Sequence, residues 1–377
     1  MKSTVVALLV FFLLHNAPAR AQVPPIVKTD TAKIQVAIIL DVSNSMDGLI
    51  RQAKRQLWNM VKVIGQVYHN NDRPPVEIAL YTYGHAYNDK TKGYIKKISG
   101  FTRNLDQIND NLSTLSTSGS YEYHGQAIFT ALEELKWDSL PNSYKVIFIA
   151  GNEDFYQGPV HWKTACELAT QKGVIVNTIY CGEREQGIRE HWDLKRDCGD
   201  GMFVSIDHNA RLQSIATPVD TTIISLKKQL SDTYIYYGKN GYKQFKEWDT
   251  LPKAGVGGNA KTMEYIIVKT DEHFYDNSSW DLIDASTKDS TILNKVDMKT
   301  LPPEWKNKSR QLLKQGVAQN KTKRQIIRTS IISANKRRDD YINTEKSKPS
   351  SDNIITLETA IEGIIREQVR RFGMRMN

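Results

Sequence analysis

The sequence predicts an α/β fold: a Rossmann-like doubly wound, mostly parallel sheet, followed by a C-terminal α-helical hairpin. Three observations predict it. Between residues 34 and 206, short apolar runs rich in β-branched residues alternate with stretches of helical spacing. The clearest runs are near-continuous, the mark of strands covered on both faces. After residue 294 the chain turns strongly basic and its apolar residues recur at helical steps.

Ile34–Leu40 (IQVAIIL) reads as the first buried strand. Leu49–Val67 follows as a helix, with Leu57, Val61, Ile64 and Val67 on one side. Val76–Tyr83 is a strand, and 104–115 and 125–135 are helices. Lys145–Ala150 (KVIFIA) is a second buried strand. A helix over 160–171, a strand over 174–180 and a short strand over 202–206 complete the alternation, and 222–236 reads as the closing helix. Such alternation implies a parallel sheet with helices on both faces, in which ligands bind beyond the carboxyl ends of the strands. Residues 33–236 are therefore taken as the domain.

Residues 237–300 read as a linker or accessory region, with a helix at 261–275 and a short element at 277–284 packed by Trp280 and Leu282. Residues 301–377 read as a basic helical hairpin. Its first helix carries Ile327, Ile331, Ala334 and Tyr341. The polar break Thr344–Asp352 contains Pro349, and a second helix runs from about Asn353 to Phe372. Packing back on the domain and projecting toward a partner are both open to this pair.

The N-terminus predicts export. Lys2, the apolar run Val5–Leu14 and Ala19-Arg20-Ala21 form a signal peptide over residues 1–21. The run is too short to span a bilayer, which takes roughly 20 residues, and no later stretch predicts a transmembrane segment. Gln22 follows the cleavage point, so no lipid anchor on a cysteine is expected. The location predicted is periplasmic or secreted. Three cysteines, Cys166, Cys181 and Cys198, allow one disulfide and one free thiol, or none. An exported location permits a Cys181–Cys198 bridge, while Cys166, in a helix, reads as core.

The net charge of +9 is uneven. Residues 295–377 hold 19 Lys+Arg against 9 Asp+Glu, and residues 22–294 are mildly acidic. Export excludes nucleic acid as the partner. Lys321, Lys323, Arg324 and Arg328, then Lys336, Arg337 and Arg338, then Arg366, Arg370 and Arg371, suggest an anionic envelope surface instead.

Asp41-Val42-Ser43-Asn44-Ser45 follows the first buried strand directly. A carboxylate and two hydroxyls, each two residues apart, can face one way from a strand-end loop. They form a hard oxygen-donor set suited to Mg²⁺ or Ca²⁺. A helix cap needs one such residue, not three in phase. His85, His124, His161 and His191 have no accompanying Ser or Cys nucleophile motif, and Gly255–Gly258 leads into no phosphate-loop Lys-Ser/Thr. Tyr242, Phe245 and Trp248 could form a sugar platform but read better as packing residues. No enzymatic activity is expected.

Preceded by IQVAIIL and followed by a long amphipathic helix, this string resembles the metal-ion-dependent adhesion site of von Willebrand factor A (VWA) domains. Asp41, Ser43 and Ser45 match its first loop. The resemblance implies a divalent cation and a protein partner that offers it an acidic side chain. The other two loops depart from the family's pattern. The second, Gly119-Ser120-Tyr121-Glu122-Tyr123-His124-Gly125, lacks the usual Thr, and Glu122 is its best oxygen donor. The third has Gly151 near the usual Asp, with Asn152 or Glu153 standing in. A carboxylate in place of Thr implies tighter cation binding and a metal less receptive to an incoming carboxylate. The segments 150–160, 180–182 with Trp192, 233–238 and 277–284 are similar to a bacterial subgroup of exported A-domain proteins. The expected function is metal-dependent protein recognition. The alternative is a metal-independent envelope scaffold acting through the basic helices.

Overall fold

In the computed structural model the described residues are 31–194, 197–210, 215–250, 260–347 and 355–376. The predicted signal peptide, Gly255–Gly258 and most of the polar break lie outside them.

The central sheet is built from β1 (Ile34–Asp41), β3 (Val76–Tyr83), β4 (Lys96–Thr102), β5 (Tyr144–Gly151), β6 (Ile175–Tyr180) and β7 (Phe203–Ser205), with the short β2 (Val67–His69) set apart from it. Its order is β4-β3-β1-β5-β6-β7, the 3-2-1-4-5-6 sequence of doubly wound sheets. All neighbours are parallel except β4, an antiparallel edge strand on β3. Sequence reading missed β4 because Lys96-Lys97-Ile98-Ser99 offers no apolar run, as suits a solvent-facing edge.

Alternate side chains of each strand enter different layers. Val36, Ile38 and Leu40 of β1, with Val146 and Phe148 of β5, meet α1 (Asp47–Ile64) and α2 (Leu105–Thr114). Ala37 and Ile39, with Ile147 and Ile149, meet α3 (His124–Glu134) and α4 (Trp162–Lys172) on the other face. Cys166 of α4 and Cys198 form a buried disulfide, and Cys181 is a buried free thiol. The pairing differs from the Cys181–Cys198 bridge suggested by sequence, because Cys181 continues the buried end of β6 whereas Cys166 and Cys198 share the layer under α4.

After α5 (Arg184–Arg189) and β7 comes α6 (Asp220–Ser231), and its position departs from expectation. The helix that covers the sheet beside α1 is not α6 but α13 (Leu357–Gln368). Leu357, Ile361, Ile364 and Ile365 of α13 belong to the same core as α1 and the sheet. Each contributes roughly 1.5–3 kcal/mol of transfer free energy. Gln52 and Gln56 of α1 accept the Leu357 and Glu358 N–H groups at 3.1 and 3.2 Å, capping the start of α13. Beyond it, β8 (Met374–Met376) pairs antiparallel with β2. The α/β domain therefore does not close at residue 236.

Between β7 and α13 the chain builds a helical region: α6, α7 (Gly241–Asp249), α8 (Ala260–Thr270), α9 (Leu282–Lys288), α10 (Ile292–Lys295), α11 (Pro303–Lys306) and α12 (Arg310–Lys346). Most of the described part of 237–300 is helical, with Trp248 and Trp280 buried, so it is not a plain linker. The C-terminal helices do not form a free-standing hairpin, since α12 packs on α6, α8 and α9 while α13 packs on α1.

The basic residues of α12 are the second correction. Arg324 is buried and binds Asp281 and Asp284, both at 2.7 Å. Arg338 is buried between Glu264 at 2.5 Å and Asp220 at 3.1 Å. Arg328 pairs with Glu272, and Lys336 with Asp340 four residues on. Of the α12 residues read as part of an anionic-surface patch, Arg324 and Arg338 are spent inside the protein, whereas Lys321, Lys323, Lys336 and Arg337 stay exposed. A buried guanidinium requires such partners, since an unpaired charge there is costly.

Candidate metal centre

Asp41 ends β1, Tyr83 ends β3 and Gly151 ends β5, so the adjacent loops meet at the carboxyl edge of the central strands. Backbone bonds join them: Val42 N–H to Tyr83 O (2.9 Å), Ser118 N–H to Val42 O (2.9 Å) and Asn44 N–H to Gly119 O (3.1 Å).

The five predicted ligands come together. The Ser43 N–H donates to Asp41 Oδ1 at 2.7 Å. The Asp41 and Glu122 carboxyl groups lie close enough to perturb each other, and Ser43 acts on both. Ser43 Oγ lies 3.3 Å from Ser45 Oγ, and Ser45 Oγ donates to Asn152 Oδ1 at 3.1 Å. Asp41, Ser43 and Glu122 are buried, Asn152 is half-buried and Ser45 is exposed. Glu153, the alternative third-loop ligand, is exposed, and its carbonyl accepts the Trp192 indole N–H at 2.7 Å. Its charge still acts on Asp41 and Glu122.

Burial raises the pKa of both Asp41 and Glu122 above the ordinary carboxylate range, and the Asp41 charge raises Glu122 further. Two carboxyl groups without a cation are best accommodated with a proton between them. Asp41 Oδ2 and Glu122 Oε2 are nevertheless buried without a hydrogen-bond partner. Buried polar atoms in folded proteins are nearly always paired, so an orphaned pair calls for an explanation.

Two residues that sequence reading passed over shape this corner. Tyr83 is fully buried and its hydroxyl donates to Ala150 O at 3.0 Å. A Cβ at Gly151 would lie 2.2 Å from Tyr83 Oη and 3.1 Å from Asp41 Oδ2. The phenol thus occupies space that a side chain at position 151 would need. The only sequence hint was the glycine itself, standing where an Asp is usual.

The donors fit a hard divalent cation: two carboxylates, two hydroxyls and an amide carbonyl. Among the described residues no group of three or more His, Cys, Asp and Glu side chains is placed to hold a metal ion, so a cation here would rest on hydroxyl and amide oxygens as well. The four histidines examined as bases have other surroundings. His85 Nδ1 accepts from Tyr87 N–H, His161 Nδ1 accepts from Lys163 N–H at the start of α4, and His191 Nδ1 lies 3.3 Å from Asp154 Oδ2. His124 is buried among Tyr83, Phe155 and Trp192, and burial lowers its pKa to about 3.

Around the site the loops present aromatic rings. Tyr121, next to Glu122, is 50% exposed and stacks on Tyr94 at 4.6 Å. Tyr156 is 49% exposed and stacks on His191 at 3.7 Å, and Tyr87 is almost fully exposed.

Strand order and parallel crossovers define a doubly wound α/β domain with the Asp-x-Ser-x-Ser loop at the carboxyl end of β1. Among solved structures, BatB from Bacteroides thetaiotaomicron is similar at 17% identity, with 46% of this chain and 90% of that one covered and a TM-score of 0.36. The SpRpn10 VWA domain is similar at 18% identity, over 47% of this chain and 88% of that one, with a TM-score of 0.31. Proximal thread matrix protein 1 of the mussel byssus, described with a zinc-occupied MIDAS motif, is similar at 14% identity, over 46% and 41%, with a TM-score of 0.32. No protein-family model and no curated protein matches the chain. The fold assignment rests on the topology described above rather than on these likenesses.

Proposed function

We propose that this protein is an exported, metal-dependent protein-recognition module and not an enzyme, with the cation face of its VWA-type domain as the binding surface. One observation carries the reading: Asp41 Oδ2 and Glu122 Oε2 are buried and unpartnered beside Ser43, Ser45 and Asn152, at the ligand-binding edge of the sheet. A Mg²⁺ or Ca²⁺ ion held by these five residues satisfies both oxygens. The exposed rings of Tyr87, Tyr121 and Tyr156 surround the site with the residue type most enriched in protein interfaces. Export is supported by the N-terminal signal pattern and by a Cys166–Cys198 disulfide, a bond favoured in oxidising compartments. Among the described residues no helix is long and apolar enough to cross a membrane.

The test is calorimetric titration with Mg²⁺ and Ca²⁺ of the wild type and Asp41→Ala, with thermal melting alongside. A ligand that binds only the folded state raises the melting midpoint, so the midpoint should rise with cation for the wild type alone. Equal behaviour of the two proteins would refute the metal reading. The burial of Arg324 and Arg338 removes two of the basic residues on which the scaffold alternative, acting through the basic helices, would draw.

A further inference from the structure

We infer that the outer face of α12 docks on an anionic lipid bilayer, held there by charge and by two inserted isoleucines. This surface lies apart from the metal centre, and the inference does not depend on a cation. It starts from a run of sequence. Residues 305–338 contain eleven Lys and Arg and no Asp or Glu. Arg324, Arg328 and Arg338 answer acids of the protein itself. The other eight are exposed. Arg310 donates to the backbone carbonyls of Leu293 and Val296, which leave its charge uncompensated. Lys336 meets Asp340 of its own helix at 3.6 Å, and both are exposed. From neighbouring elements, Glu272 is taken by Arg328, and Asp232, just past α6, shares a groove with Lys323.

Each Lys or Arg held near an anionic leaflet strengthens attachment roughly fivefold. Charge alone would suit any polyanion; the apolar residues select the lipid. Ile326 is 64% exposed and Ile332 70%, and among the described large apolar side chains only Tyr87 is more exposed. The buried row of α12 runs through Leu313, Val317, Arg324, Ile331, Ala334 and Arg338, and both isoleucines turn away from it. Neither packing nor propensity explains them, since Ile forms helix less readily than Leu, Lys or Gln. Lys323 stands one turn before Ile326, and Lys336 one turn after Ile332. The isoleucines can enter the boundary between headgroups and acyl chains while the lysines reach the phosphates. The inner side of α12 rests on α6, α8 and α9, so the buried pairs of Arg324 and Arg338 fix which side faces out. Its 37 residues extend roughly 55 Å, long enough to lie along a membrane surface.

The experiment is vesicle flotation, in chelator, of the chain from Gln22 onward. That start removes Val5–Leu14, an apolar run that would bind lipid by itself. Phosphatidylcholine vesicles are compared with an equal mixture of phosphatidylcholine and phosphatidylglycerol. The wild type should bind the mixture at least about tenfold more tightly. Binding should collapse between about 0.1 and 1 M salt, as the Debye length shrinks from ~10 to ~3 Å. Changing Lys321, Lys323, Lys336 and Arg337 together to Glu should abolish it, and changing them to Gln gives the same comparison if the Glu variant melts early. Ile326→Ser with Ile332→Ser should weaken vesicle binding about tenfold while leaving retention on heparin, a polyanion without acyl chains, unchanged. Asp41→Ala should float with the mixed vesicles as the wild type does, so loss of the metal reading leaves this result standing. Equal binding to both vesicle types, binding to neither, or binding that survives the charge changes overturns the inference. An isoleucine variant that floats like the wild type also overturns it, and marks α12 as a general polyanion face.

Discussion

Gln368 in α13 and Asn177 in β6 exchange two hydrogen bonds inside the protein. Gln368 Nε2 donates to Asn177 Oδ1 at 2.7 Å, and Asn177 Nδ2 donates to Gln368 Oε1 at 3.1 Å. The Tyr144 hydroxyl adds a third bond to Gln368 Oε1 at 2.8 Å. None of the three side chains is exposed. This amide pair fixes α13 against the sheet at one register.

Gln368→Leu should therefore cost ~3 kcal/mol or more, because it strands the Asn177 amide and the Tyr144 hydroxyl, at ~1–3 kcal/mol for each buried group. Urea unfolding measures it. A chain spanning residues 22–236 lacks α13 altogether and should show no cooperative melting transition. A sharp transition from that fragment would mean that α13 is dispensable.

Charge reversal on α12 should separate inner from outer basic residues. Lys336→Glu with Arg337→Glu changes exposed side chains and should shift stability by no more than about 0.5 kcal/mol each. Arg338→Glu leaves Glu264 and Asp220 facing a buried negative charge and should cost ~3–5 kcal/mol or more. Thermal melts of the two variants decide between an internal and an external role for this charge.

The same cluster sets an acid limit. Burial would raise the Glu264 pKa, but Lys62 and Arg338 outweigh it and hold the carboxyl below its ordinary 4.5. A depressed carboxylate contributes stability that is present above the unfolded value and is lost as pH falls through the folded one. The melting-temperature gap between wild type and Glu264→Gln should thus be constant near neutrality and narrow below about pH 4.5. A gap that stays constant down to pH 2.5 would contradict it.

At the metal centre, Gly151→Ala forces a Cβ against Tyr83 Oη and should cost ~1–3 kcal/mol. Tyr83→Phe removes that oxygen, and with it one hydrogen bond to Ala150 O. The double variant should be more stable than the sum of the single ones by ~1 kcal/mol, since neighbours in contact couple. Strict additivity in urea unfolding would show that the phenol does not crowd this corner.

The parallel strands and the placement of the Asp-x-Ser-x-Ser loop at a strand end were legible because their signals are local. IQVAIIL is a run that only a doubly covered strand needs, and Asp41, Ser43 and Ser45 lie within five residues of one another. Glu122 was singled out as the best oxygen donor in a loop without Thr, and the structure places it beside Asp41. What escaped depends on distant partners. The helical period of 353–372 announced α13 but not the core it enters. Arg324 and Arg338 looked like surface charge because Asp281, Glu264 and Asp220 stand 43, 74 and 118 residues away. Helices such as α10 and α11, of four residues each, are too short for periodicity to register.

Placing α13 beside α1 has a consequence for biosynthesis. Gln52 and Leu357 touch across a sequence separation of 305 residues. At roughly 5–20 residues per second, a ribosome takes roughly 15–60 s to cover that interval. During this time the sheet face beside α1 lacks part of its cover, and the growing chain cannot settle into its final state from its N-terminus onward.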